Sequence, residues 1–250
     1  MNAKLTKKRN NIYDWFEIGI LLNVTGGFLD AYTYLTRGGV FANAQTGNLI
    51  FMCLNFVEGK GVFALRFLIP VCAFMLGVFV ALLLKHTEKF DSFYGMCGVT
   101  LMEILLLVGV GFVDSQVPDM LVNSVVSMVA AMQYTAFREM QGLPMTSAFC
   151  TGNLRSATEC LYDGFVKKQK HSFLNALCYF GLILSFCIGV AAGAWLTSLF
   201  HMHSVWFAAG VLAIILLYSM FFHAYRKKRK NSNVPDASAT TDDAASSELK

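Results

Sequence analysis

Thr46-Gly47-Asn48-Leu49 returns 105 positions later as Thr151-Gly152-Asn153-Leu154. Each copy follows an apolar segment and a Gly- or Pro-marked break, and each opens a short run that ends in a polar turn. A lone Thr-Gly-Asn carries little information. Two copies, equally placed in two hydrophobic halves, are the mark of an internal structural repeat. The chain therefore reads as one unit written twice.

The medium in which that unit folds follows from composition. Hydrophobic residues make up 56% of the chain and charged residues 14%, against about 25% charged in a soluble domain. Mean hydropathy is +0.53. The net charge of +4 comes from basic residues placed in blocks at segment ends and termini, the pattern that orients a protein in a bilayer. Arg226 to Lys230 directly follow an apolar segment, so they read as a cytoplasmic anchor and not as a nucleic-acid site. The seven cysteines include no Cys-x-x-Cys and have no His at ligand spacing. They read as small buried hydrophobes, with no metal and no cofactor. The first apolar segment is long and contains Asp30, so it reads as a retained helix and not a signal peptide.

Hydropathy divides the chain into a basic cytoplasmic arm (1–12), a first membrane repeat (13–113), a second (114–226) and a disordered cytoplasmic tail (227–250). Full-length helices are predicted over 15–35, 61–84, 93–113, 120–137, 173–200 and 205–225, with short pieces over 46–57 and 151–162. The short pieces either cross, giving eight spans, or dip in and return, giving six. With six spans and both termini cytoplasmic, fifteen basic residues lie inside against Arg37 and Lys60 outside. Eight spans give thirteen against four, so six fits better. The predicted fold is an all-α polytopic membrane protein with six transmembrane helices and two short re-entrant helices. Three spans per half invert the second copy relative to the first.

Irregular backbone at membrane depth is tolerated only where it lines a cavity or packs in protein. The predicted substrate site is therefore Gln45, Thr46, Gly47 and Asn48 with Thr151, Gly152, Asn153 and Gln133. A helix starting at Thr46 or Asn48 points its positive end at the midplane, with Thr46 as cap and Gly47 allowing close approach. Two such ends favour anionic or neutral polar solutes. The alternative is that both motifs only cap and pack short helices. Asp30 and Glu103 are the candidates for proton coupling, Asp30 having a structural hydrogen-bond role as its alternative. Arg66 is expected to snorkel outward rather than pair with Asp30, and Arg155 to bridge Glu159.

The stretches Gly26-Gly27-Phe28-Leu29-Asp30-Ala31-Tyr32 and Gly38 to Asn48, with Met132-Gln133 and Cys150 to Asn153 in the second half, resemble the YoaK-like family of bacterial integral membrane proteins. The resemblance covers residues 15 to 225. It implies an inner-membrane protein and supplies no substrate.

The expected function is secondary transport of a small polar or anionic solute. A channel-like pore and a non-transporting scaffold or sensor are the alternatives. No catalytic residues are assigned: the sequence holds no Gly-x-Ser-x-Gly, no phosphate loop and no paired intramembrane His with carboxylate. The bilayer is the expected partner, nucleic acid is not, and self-association stays open.

Overall fold

The computed structural model describes residues 16–86, 93–114, 116–136, 139–140, 143–144 and 150–232. The basic arm, the start of the first helix at Trp15, Lys89, Phe137, Arg138, Gly142 and the tail beyond Ser232 lie outside the described residues. The architecture is helical. In chain order the helices are α1 (Phe16–Thr36), α2 (Gln45–Val57), α3 (Gly61–Lys85), α4 (Phe93–Gly111), α5 (Asp119–Ala136), α6 (Cys150–Phe165), α7 (Lys170–Phe200) and α8 (Val205–Ser232). A 3-10 turn, His201–Ser204, joins α7 to α8, and a two-residue antiparallel pairing of Glu139–Met140 with Leu143–Pro144 lies between α5 and α6. The helix at the C-terminus runs through residues 227–232, so the first part of the expected tail continues α8.

Among the described residues three stretches are long and apolar enough to cross a membrane: Gly61–Leu84, Phe93–Gly111 and His171–Tyr225, the last covering α7 and α8. α1 and α5 are not among them. Both carry polar residues on faces that protein covers. Asn23, Thr25, Asp30 and Thr33 on α1, and Asn123, Ser127, Gln133 and Thr135 on α5, are all buried. Helices inside a bundle do not need the hydropathy that lipid demands of the outer ones.

Helix directions follow from close contacts. Phe16 lies beside Gly181, Val24 beside Gly189 and Phe28 beside Gly193, so α1 and α7 run parallel. A Cβ on Gly27 or Gly189 would collide with the opposing backbone, so these glycines let the two helices approach at backbone distance. Likewise Arg66 pairs with Asp119 and Gly77 abuts Met128, which makes α3 parallel to α5. α2 packs on α3 and α6 on α7; α4 packs on α5 and α8 on α1; α4 also packs on α8.

One end of the bundle gathers the end of α1 with the starts of α3 and α5. There Asn123 Nδ2 donates to Arg37 O at 2.8 Å, and Arg37 Nη2 donates to Val113 O, just past α4, at 3.0 Å. The last carbonyls of α4 have no partners within their own helix. Trp206 Nε1 donates to Val108 O at 3.2 Å and His203 Nδ1 lies 2.9 Å from Gly111 O, so the α7–α8 joint closes the same end.

Candidate functional site

α1 stops because Gly38 adopts φ +78°, a left-handed conformation that costs a glycine little, and Gly39 N–H reaches back to Tyr34 O at 3.1 Å. The chain then turns back into the bundle. Val40, Ala42 and Asn43 are buried. Asn43 Nδ2 donates to Gly26 O at 3.0 Å, and Asn43 N–H donates to Asp30 Oδ1 at 2.6 Å. Gly26 is the central residue of α1. The descending chain therefore meets α1 at its middle before α2 begins.

α2 starts at Gln45, with Ala44 as N-cap and no side-chain cap. The expected capping by Thr46 is corrected: Thr46 is already inside the helix and exposed. The anionic group at this helix start comes instead from α1, where the Asp30 carboxylate faces the backbone amides of Ala42, Asn43 and Ala44. A carboxylate at a helix N-terminus satisfies free N–H groups and the positive end of the dipole together. Asp30 is 3% exposed, and its Oδ2 has no hydrogen-bond partner.

Asn48 is fully buried and clamps the loop. Its Oδ1 accepts Phe41 N–H at 2.9 Å, and its Nδ2 donates to Phe41 O at 2.8 Å and to Gln45 Oε1 at 2.9 Å. Gln45 Nε2 in turn donates to Ala42 O at 2.8 Å. The Phe41 ring fills the space beside Gly47, where a Cβ would come within 2.9 Å of it. The absent side chain thus accommodates Phe41. A row of rings runs from Tyr34 through Phe41 and Phe51 to Phe67, the first two pairs stacked and the last tilted, with centroids 5.0, 6.3 and 5.5 Å apart, tying α2 to α1 and α3. At its far end α2 closes on Gly59 (φ +75°), and α3 follows at once.

In the second copy Asn153 is buried, Gly152 half-buried and Thr151 exposed. Cys150, the first residue of α6, is within electrostatic reach of Asp30 and Cys187. On the outward faces the copies differ. Thr46, Leu49, Ile50, Cys53 and Leu54 line a shallow groove of about 550 Å³, whereas the matching face of α6 carries Arg155 and Glu159, bridged at 2.8 Å as the spacing predicts.

Gln133 is separated from this group. Its Nε2 points to Glu103 Oε2 at 3.5 Å, with both residues buried and Glu103 Oε1 unpartnered. The predicted residues therefore separate: Asp30 lies with the loop and helix start that hold Gln45 to Asn48, and Glu103 lies with Gln133. Arg66 does not reach Asp30: it turns to the bundle end, partly exposed, and pairs with Asp119 at 3.7 Å. Sequence reasoning missed Asn43 and the burial of Arg37. The available signal was an isolated polar residue between Ala42 and Ala44, in a loop too apolar to lie in water. Among the described residues no three His, Cys, Asp or Glu side chains group as metal ligands.

A family model described as a protein of unknown function (DUF1275) matches residues 18–218. The UPF0700 transmembrane protein YoaK of Bacillus subtilis (strain 168) is 27% identical over 213 residues, covering 83% of this chain and 92% of that protein. No solved structure matches.

Proposed function

The chain belongs to the DUF1275 family of membrane proteins, and since that membership assigns no activity, we propose one from the geometry: secondary transport of a small polar solute across the bacterial inner membrane. The site is the Asp30 carboxylate between the starts of α2 and α6. The observation that carries this reading is the bond from Asn43 to the carbonyl of Gly26, which brings a helix start to the middle of a 21-residue helix.

The packing supports six spans in two inverted repeats. α1 on α7 corresponds to α5 on α3, α2 on α3 to α6 on α7, and α8 on α1 to α4 on α5. The α1 end meets the α5 start at Arg37 and Asn123, so the equivalent helices of the two halves point in opposite directions. Eight spans would put those two ends on opposite faces. The end opposite Arg37 receives Lys85, Lys167 and the α8 terminus. By the bias of basic residues it is the cytoplasmic face, with both termini there.

Asp30 already faces the positive end of α2, which shifts the preferred solute from anionic to neutral and polar. Its open Oδ2 provides one acceptor, or one proton position, for coupling. Glu103 with Gln133 is a second proton-handling pair. No catalytic role is assigned. A non-transporting scaffold is the second reading, favoured by the complete engagement of the Asn48 amide with Phe41 and Gln45.

Proteoliposomes separate the two. Uptake of labelled polyols, amides and amino acids is measured against empty vesicles, with and without a pH gradient. The transporter gives saturable uptake of at least one class that Asp30→Asn abolishes while the protein stays folded. Uptake equal to that of empty vesicles for every class, or unchanged in the variant, sinks the proposal.

A further inference from the structure

The rim where α1 ends and α3 and α5 begin carries a charge arrangement that the Asp30 site does not use. Arg37 is fully buried; its Nη2 donates to Val113 O at 3.0 Å and lies 3.5 Å from the Tyr32 hydroxyl. Its Nε and Nη1 have no hydrogen-bond partner. Asp119 stands between two guanidinium groups, with Oδ1 3.8 Å from Arg37 Nη1 and Oδ2 3.7 Å from Arg66 Nη2. Both distances are ion pairs, and both are too long for hydrogen bonds. One carboxylate is thus shared by two cations.

Unsatisfied donors on a buried guanidinium are costly, and at these distances Asp119 hydrogen-bonds neither arginine. Arg66 is the partly exposed member. Its guanidinium lies over the Phe63 ring at 4.6 Å and opens on a groove of about 600 Å³ walled by Val62, Leu65, Ile69 and Met120. A cationic head above apolar walls suits an amphiphilic phosphate.

We propose that this groove is an oxyanion site for a phosphate group, held by Arg66. A phosphate takes the guanidinium fork in two parallel N–H···O bonds, a geometry that an ammonium group cannot reproduce. Occupancy releases Asp119 toward Arg37, where its oxygens satisfy Nη1 and Nε. The same movement draws the one acidic group of the groove away from the anion. The phosphate belongs to a phospholipid headgroup whose chains lie on the apolar walls, or to a free anion.

Thermal unfolding of the full chain in neutral detergent tests this in two arms. One arm adds inorganic phosphate against sodium chloride at matched ionic strength; the other adds phosphatidylglycerol to the micelles. A rise in Tm with phosphate identifies a free anion site, and a rise with the lipid alone identifies a headgroup site. Arg66→Gln abolishes the rise in either arm while leaving the unliganded Tm close to wild type. Arg66→Lys, which keeps charge and loses the fork, folds and weakens the apparent affinity several-fold. No rise in either arm, or a rise of wild-type size in both variants, overturns the proposal.

Discussion

Asn43 donates its backbone N–H to Asp30 Oδ1 at 2.6 Å, joining the start of α2 to a carboxylate thirteen residues earlier in the chain. This contact does for α2 what a local capping side chain does elsewhere, and it holds the loop in the bundle. Asp30→Ala leaves the amides of 42–44 buried without an acceptor, at about 1–3 kcal/mol of stability. Asp30→Asn keeps an acceptor oxygen and costs less. Thermal unfolding in detergent ranks the two, and equal Tm values for wild type and Asp30→Ala contradict the assignment.

Asn48 and Thr46 belong to one motif and behave differently on substitution. Asn48 is fully buried and makes three hydrogen bonds, all to the loop and helix start it organises. Asn48→Ala orphans both polar groups of Phe41 and exposes the 37–44 segment to protease. Thr46→Ala stays within about 0.5 kcal/mol of wild type, since its side chain is exposed. Limited proteolysis followed by mass spectrometry of the 37–44 region separates the variants.

The division of the chain into helices was legible because long apolar runs bounded by polar or Gly/Pro breaks read as helices, and the starts of both short pieces lay within a residue of Gln45 and Cys150. The break was legible because the motif occurs twice. What could not be read was which partner each motif residue takes. Gly47 looks like an opening for a ligand until the ring of Phe41 is seen to fill it. Arg37 looks like a loop charge because burial is decided by α4 and α5, more than seventy residues away in the chain. Asp119 looks like a joint residue for the same reason. Local propensity carries no information on such contacts, which tertiary packing alone creates.

The parallel packing of α1 on α7 rests on small residues. A Cβ on Gly189 would meet the Val24 backbone, whereas nothing lies within 4 Å of the position a Cβ would take on Gly210 in α8. Gly189→Ala forces the two helices apart and costs about 1–3 kcal/mol. Gly210→Ala gains helix propensity and is neutral to stabilising. The Tm values in detergent should move in opposite directions, or the Gly189 value alone should fall. A Gly189→Ala protein as stable as wild type is incompatible with backbone-distance packing of these helices.

Sidedness gives the most direct check on the number of crossings. All seven cysteines are free thiols, so single cysteines are introduced into a background in which each native one is replaced by Ser or Ala. Lys60, Gln116 and Lys167 are exposed connections between helices, and none belongs to the Asp30 or Arg37 clusters. If α2 and α6 enter and leave by one face, Lys60→Cys and Gln116→Cys react together with a membrane-impermeant maleimide in intact spheroplasts, and Lys167→Cys reacts only after permeabilisation. If both short helices cross, the three connections lie on a single face and label together. The ion pair between Arg66, near the start of α3, and Asp119, at the start of α5, requires those starts to share a face. That pair alone fits either count; the contact of Asn123 with Arg37, which brings the end of α1 to the start of α5, is what favours re-entry. The split pattern, two connections against one, is therefore the expected labelling.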